Sequence, residues 1–62
     1  MNNYHLLANG EPTANVPADS ADEALRIMRR CGFIQKDSLL GPLELWKDYL
    51  TDNPVKMFDV EI

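Results

Sequence analysis

The sequence has few of the residues that staple small folds or build reactive loops. Cys31 is the only cysteine among the 62 residues, so an intramolecular disulfide and a zinc site of four thiolates are excluded. The three glycines, at 10, 32 and 41, are too far apart to form a phosphate-binding loop. We therefore expect a fold held together by its core, with no cofactor and no metal.

Long apolar runs and an excess of positive charge are also missing. No stretch approaches the roughly 20 apolar residues that cross a bilayer, and residues 1–5 lack the positive start and apolar run of a secretion signal. Six lysines and arginines stand against ten acids, a formal net charge of −4, which argues against binding duplex DNA through its phosphates. We expect a cytoplasmic protein with no membrane partner and no direct nucleic-acid binding.

The chain does contain enough apolar residues, 45%, to fold as a single domain over residues 1–62. A chain of this length buries only about 60% of the surface that it exposes when unfolded. Its stability should therefore be modest. No repeat, linker or low-complexity segment divides it.

The N-terminal residues predict a β-hairpin. Residues 4–8 have strand character, Asn9-Gly10 is a strong turn signal, and a second strand is expected near residues 13–18. The apolar residues of the two strands share a face only if the residue numbers of each facing pair add to an even sum. A two-residue turn at Asn9-Gly10 makes this sum odd. We therefore expect a three- or five-residue loop with Gly10 in the left-handed region beside a bulge. The prolines at 12 and 17 favour an edge position or irregular pairing for the second strand.

The segment after residue 19 predicts a helix. Ser20 and Glu23 have the spacing of a capping box, in which the two residues satisfy free amides at a helix start. Apolar residues then recur at helical spacing, which predicts a buried face made of Ala21, Ala24, Leu25, Met28 and Cys31. Gly32 is well placed to end the helix.

The segment after Gly41 favours a second helix, with Pro42 at its first position and Asn53-Pro54 as its end. Its apolar residues would cover more than half of the helix circumference, and they are Leu43, Leu45, Trp46, Tyr49 and Leu50. We expect Trp46 to be the centre of the core. Tyr49 is the better candidate for a surface that meets a partner.

Residues 55–62 predict a strand, because Phe58, Val60 and Ile62 alternate with Asp59 and Glu61 and so form one core face and one solvated face. The simplest place for this strand is beside the strand at residues 4–8. The fold class that we predict is α+β, in the order β-β-α-α-β, with a small antiparallel three-stranded sheet and two helices packed on one face.

No arrangement of residues indicates catalysis. His5 and Cys31 are the only possible base and nucleophile, but Cys31 ends the apolar stripe of the first helix and is better interpreted as a core residue. Three carboxylates, on Asp19, Asp22 and Glu23, lack the spacing of a calcium loop and are explained by helix capping. We expect that the protein is not an enzyme.

One stretch of the chain resembles a known group of proteins. The residues Val16-Pro17-Ala18-Asp19-Ser20-Ala21-Asp22-Glu23-Ala24-Leu25 are similar to the strand-to-helix junction of small phage and plasmid proteins described as DpnD/PcfM-like, and cover about a third of the chain. The resemblance implies an origin in a mobile element. In size and charge the chain also resembles phage inhibitors of host defence, including anti-CRISPR proteins.

Our first hypothesis is therefore a phage or mobile-element inhibitor that acts in the host cytoplasm. It would bind a larger host protein or ribonucleoprotein complex of the nucleic-acid-handling, CRISPR type, because spaced carboxylates can compete for a basic groove. The acids would meet lysine or arginine and the tyrosine would supply buried area. The predicted partner-binding residues are Glu44, Asp48, Tyr49, Asp52, Asp59 and Glu61.

Two alternatives use other surfaces. A homo-oligomeric structural or regulatory module would pair through exposed sheet edges, so that the chain is a homodimer instead of a monomer. A nucleic-acid binder would use the basic residues Arg26, Arg29, Arg30 and Lys36, which the net acidity disfavours.

Overall fold

A computed structural model describes residues 2–34 and 42–60. Within these ranges the chain forms four strands and one helix. The elements are β1 (Asn2–Ala8), β2 (Glu11–Ala18), α1 (Ala21–Arg30), β3 (Leu43–Lys47) and β4 (Val55–Val60).

The strands form one antiparallel sheet in the order β2-β1-β3-β4. The predicted β-β-α-α-β fold with three strands and two helices is therefore wrong, because the segment expected to be the second helix is β3 and the turn that follows it. Leu43 and Leu45 are buried while Glu44 and Trp46 lie on the opposite face. This alternation is the two-residue period of a strand.

The first hairpin has the predicted match of apolar residues but not the predicted loop. Tyr4 faces Val16 and Leu6 faces Ala14, and both pairs of numbers add to an even value. The loop is a two-residue turn, in which Asn9 and Gly10 have φ angles of 53° and 82°. A bulge between Leu6 and Leu7, which leaves Thr13 as the extra residue of β2, restores the apolar match. β2 lies at the sheet edge, as its prolines predicted.

The helix begins and ends as the sequence predicted. Ser20 is the N-cap, and its hydroxyl accepts a hydrogen bond of 3.2 Å from the Glu23 amide. The Glu23 carboxylate in turn accepts one from the Asp19 amide, at 3.2 Å. Gly32 follows the helix with a φ of 82°, the left-handed conformation typical of a residue just past a helix end.

The core lies on one face of the sheet, where α1 packs against β2 and β3. Ala24 and Met28 of the helix are fully buried in the same apolar cluster as Leu6 of β1 and Leu45 of β3. Two expectations about this core are wrong. Cys31 is exposed at the helix C-cap, and Trp46 lies half-buried on the face away from the core.

The last strand occupies a different place from the one predicted. β4 pairs with β3 and not with β1, because β3 takes the position beside β1. Val60 is buried in the core and Phe58 packs against it, as the alternation predicted. Ile62 and Glu61 lie outside the described residues. Among the described residues, no helix has both the length and the apolar composition needed to cross a bilayer.

Candidate partner-binding face

The sheet face turned away from α1, which we call the distal face, carries a buried histidine, aromatic rings and a network of charged side chains. Because side chains alternate along a strand, His5 and Leu7 of β1 point to this face between the core residues of the same strand. His5 lies directly opposite Asn15 on β2 and Trp46 on β3. The distal face includes His5, Leu7, Glu44, Trp46, Lys56 and Asp59.

Three aromatic rings meet on the distal face. The ring of Tyr49 lies 6.0 Å from that of His5, centroid to centroid, with the planes tilted by 47°. The same tyrosine ring meets Trp46 edge to face, at 5.5 Å and 76°. This is a favoured arrangement for aromatic pairs. The Tyr49 ring thus lies against both of the other rings, and we call it the cover of His5.

Tyr49 reaches this position because of the β3–β4 turn (48–54). Asp48 has a φ of 55°, a left-handed conformation that turns the chain out of β3. Its amide donates a hydrogen bond of 3.0 Å to the Asn3 carbonyl on β1. Within the turn, the Thr51 hydroxyl donates to the Asp48 carbonyl at 2.7 Å and accepts from the Asn53 amide at 3.3 Å. The turn is therefore a hydrogen-bonded unit attached to the start of β1.

The imidazole of His5 is buried without a hydrogen-bond partner. The residue is 5% exposed, and neither Nδ1 nor Nε2 has a partner among the described residues. Neutral imidazole carries one donor and one acceptor. A buried polar group that makes no hydrogen bond costs about 1–3 kcal/mol. An apolar side chain of similar size would avoid this cost.

A small network of charges borders the aromatic rings. Lys56 Nζ lies 2.9 Å from Glu44 Oε2 and 2.9 Å from Asp59 Oδ1, and the Trp46 indole donates to Glu44 Oε1 at 3.4 Å. Hydrogen bonds from Lys56 and then Trp46 lower the pKa of Glu44 below its usual value. Hydrogen bonds to Asp59 and then Glu44 raise the pKa of Lys56. Lys56 thus forms ion pairs with two carboxylates.

The predicted partner-binding residues fall in two groups. Glu44 and Asp59 face each other across β3 and β4 and share Lys56. Asp48, Tyr49 and Asp52 lie in the β3–β4 turn instead of on a helix. Neither Asp48 nor Asp52 forms an ion pair with any described residue. Glu61 lies outside the described residues, so its prediction stays open.

Exposed apolar side chains lie next to this turn. Leu50, within the turn, is 75% exposed, and Val55 and Met57 of β4 are 49% and 38% exposed. Sequence analysis did not single out these residues, nor His5 or Trp46, as parts of the binding surface. The alternation at residues 43–47, interpreted as a strand, would have placed Trp46 on the distal face.

The other candidate chemistry is not brought together. His5 lies on the distal face, whereas Cys31 ends the helix that packs on the opposite face, so they form no nucleophile and base pair. No cluster of metal-binding side chains occurs among residues 2–34 and 42–60. Arg26, Arg29 and Arg30 are exposed on α1, and Lys36 lies outside the described residues.

Comparison with known proteins identified no similar protein. No protein family model, curated protein or solved structure matches this chain. The distal face is therefore interpreted from its own geometry and chemistry.

Proposed function

We propose that this chain is a non-enzymatic protein-interaction module that binds a basic surface of a larger partner through the β3–β4 turn and the distal face. The observation that supports this best is the contact of the Trp46 and Tyr49 rings at a turn that also carries Asp48 and Asp52, two acids with no ion pair among the described residues.

The composition of this surface is that of an interface. Half-buried aromatic side chains supply contact area at a small cost in conformational entropy, and they are enriched among the residues that dominate binding energies. Leu50 adds an exposed apolar side chain at the turn. Acids around such a centre form a polar rim that selects a basic partner and speeds association.

The charge balance in this part of the chain supports a basic partner. Over residues 42–60 four acids, Glu44, Asp48, Asp52 and Asp59, stand against Lys47 and Lys56. Spaced carboxylates can occupy a groove that otherwise holds phosphates. A host nucleic-acid-handling complex of the defence type, inhibited by a phage or mobile-element protein, stays our prediction for the partner.

A matched pair of charge variants tests this function. The first variant combines Asp48→Asn with Asp52→Lys, since asparagine tolerates the left-handed conformation at position 48. The control combines Asp19→Asn with Glu11→Lys, both exposed and both away from the distal face. Each variant moves the formal net charge from −4 to −1.

The two variants and the wild-type protein are compared by affinity capture from host lysate with quantitative mass spectrometry. We expect a protein or complex that is captured by the wild-type protein and by the control, and lost with the turn variant. Equal capture by all three proteins would contradict the proposed surface, because general charge effects are matched.

A second candidate function is self-assembly through β4. This strand is one of the two edge strands of the described sheet, and unlike β2 it contains no proline. Val55 and Met57 are exposed on it. Unpaired edges of this kind can pair between copies. Analytical ultracentrifugation over a range of concentrations tests it, and a strictly monomeric chain would remove this candidate.

A further inference from the structure

The buried imidazole of His5 does not stabilise the free protein by hydrogen bonding. Both of its ring nitrogens are buried without a partner among the described residues, and Tyr49 and Trp46 lie against the site. The unpaired nitrogens raise the free energy of the closed state, in which Tyr49 covers His5. This cost is removed when Tyr49 moves away and a partner supplies hydrogen bonds to the imidazole. The distal face thus has a polar group beneath an aromatic cover.

We infer that the β3–β4 turn is a lid, and that an arginine side chain of the partner takes the place of Tyr49 over His5 when the partner binds. This inference rests on the proposed function, and it names the chemistry of the group that the face recognises. The site then consists of Trp46 as a stacking wall, Glu44 as a carboxylate and His5 as a hydrogen-bond acceptor.

The hydrogen bonds of the turn allow it to move as one body. The bonds made by the Thr51 hydroxyl, and the bond of 3.1 Å from the Thr51 amide to the Asp48 carbonyl, stay within the turn. The bond from the Asp48 amide to the Asn3 carbonyl joins the turn to β1. Opening would therefore break this bond and the contacts of the Tyr49 ring with His5 and Trp46, and leave the internal bonds of the turn intact.

The chemistry of the uncovered site matches a guanidinium group. Arginine stacks on the face of an indole better than lysine does, and its planar fork can donate to a carboxylate at the same time. Glu44 lies beside the indole, because its Oε1 accepts the hydrogen bond from Trp46 Nε1, while its Oε2 pairs with Lys56. A neutral imidazole offers one acceptor nitrogen, which a further guanidinium N–H can use.

The free protein provides the first part of the test. His5→Leu removes both nitrogens, and His5→Phe also keeps a ring beneath Tyr49. We expect both variants to melt at a higher temperature than the wild-type protein, and the Asp48 amide to exchange its hydrogen more slowly. A lower melting temperature for both variants would overturn the inference, because His5 would then stabilise the closed state.

Binding provides the second part. The probe is an acetylated, amidated peptide of four Arg-Gly repeats, and the control probe has lysine in place of arginine. We expect the arginine peptide to shift the His5 ring nitrogens and the Asp48 amide in NMR spectra, and to bind the two His5 variants about tenfold more weakly, the effect of losing one charge-assisted hydrogen bond. Unchanged His5 ring signals at saturation, or equal affinity for the lysine peptide, would overturn the inference.

The two proposals fail in distinguishable ways. If the turn charge variant loses the captured partner while His5→Phe binds that partner and the peptide like the wild-type protein, the interaction surface stands and the lid is excluded. If the turn charge variant captures the same proteins as its control, the proposed function itself fails.

Discussion

The ammonium group of Lys56 lies 2.9 Å from the Glu44 carboxylate, and this ion pair joins β4 to β3 across a bulge. The bulge leaves Met57 as the extra residue of β4, so that Lys56 faces Trp46 while Asp59 faces Glu44. Without it, the lysine and Asp59 would point to opposite faces of the sheet. The bulge therefore assembles the charged border of the distal face.

The pH dependence of stability should report this ion pair. The pKa of Glu44 is lowered from its usual 4.5 by hydrogen bonds from Lys56 and Trp46, so its charge contributes stability above pH 4.5, which is lost as the pH falls through the lower folded value. The pKa of Lys56 is raised from 10.5, so its contribution is complete below pH 10.5 and is lost as the pH rises through the higher folded value. Both contributions are present between these limits, and both groups are exposed enough to be screened.

Urea denaturation of the Glu44→Gln variant at several pH values measures the acidic limb. The difference in stability from the wild-type protein should be constant near neutral pH, small, and reduced toward zero below pH 4.5. Glu11→Gln, at an exposed position at the start of β2, is the control. A difference that grows on acidification would contradict the assigned direction of the pKa.

The same truncation should have very different effects at two leucines. Leu45→Ala removes a fully buried side chain and should cost about 2–5 kcal/mol. This is a large part of the total of about 3–9 kcal/mol expected for a chain of this length. Leu50→Ala, at a position 75% exposed, should leave the free energy of unfolding nearly unchanged. Chemical denaturation of both variants checks this, and equal losses would contradict the described core.

The capping box should contribute measurably to the stability of α1. Ser20→Ala removes the oxygen that accepts from the Glu23 amide, at a cost of about 1 kcal/mol, which lowers the melting temperature of a small domain by about 4–8 °C. Ser20→Asp keeps an acceptor at the same place and is the control. A melting temperature that is lowered equally by both substitutions would show that the hydroxyl itself is not the cap.

The parts of the fold that could be predicted from the sequence are the ones set by neighbouring residues. The capping box lies within four residues, and Gly32 ends the helix through its own conformation. The apolar match of the first hairpin was also predictable, because the apolar side chains of both strands are buried together only when the residue numbers of facing pairs add to an even sum. Its loop length was not, since a bulge at Thr13 and a longer loop correct the parity equally well.

The error at residues 43–47 has a physical cause. Apolar residues at 43, 45, 46, 49 and 50 fit a wide helical stripe as well as a strand followed by a turn, and a proline at 42 is accepted at the start of either element. Residues 43–47 form a strand because β1 and β4 supply hydrogen bonds on both sides of β3. Those contacts are distant in sequence, so local patterns do not contain them.

The candidate site was also predictable only in part, because some of its contacts join residues that are distant in sequence. The acids at 44 and 59 were expected to share a surface, and the register places them opposite each other. His5 lies on the strand face opposite Tyr4 and Leu6, as the two-residue period of a strand requires. Its burial was not predicted, because the cover comes from Tyr49 through a left-handed residue at Asp48.

The central position of β3 has a consequence for how the chain folds. β1 and β2 pair through a two-residue turn, whereas Ala8 meets Leu43 only after the long intervening segment has closed into a loop. Loop closure of this kind is an entropic barrier that slows the formation of sheets with distant partners. We expect the N-terminal hairpin to form early with one side of β1 unpaired, and the rate-limiting step to be the arrival of β3 at that side.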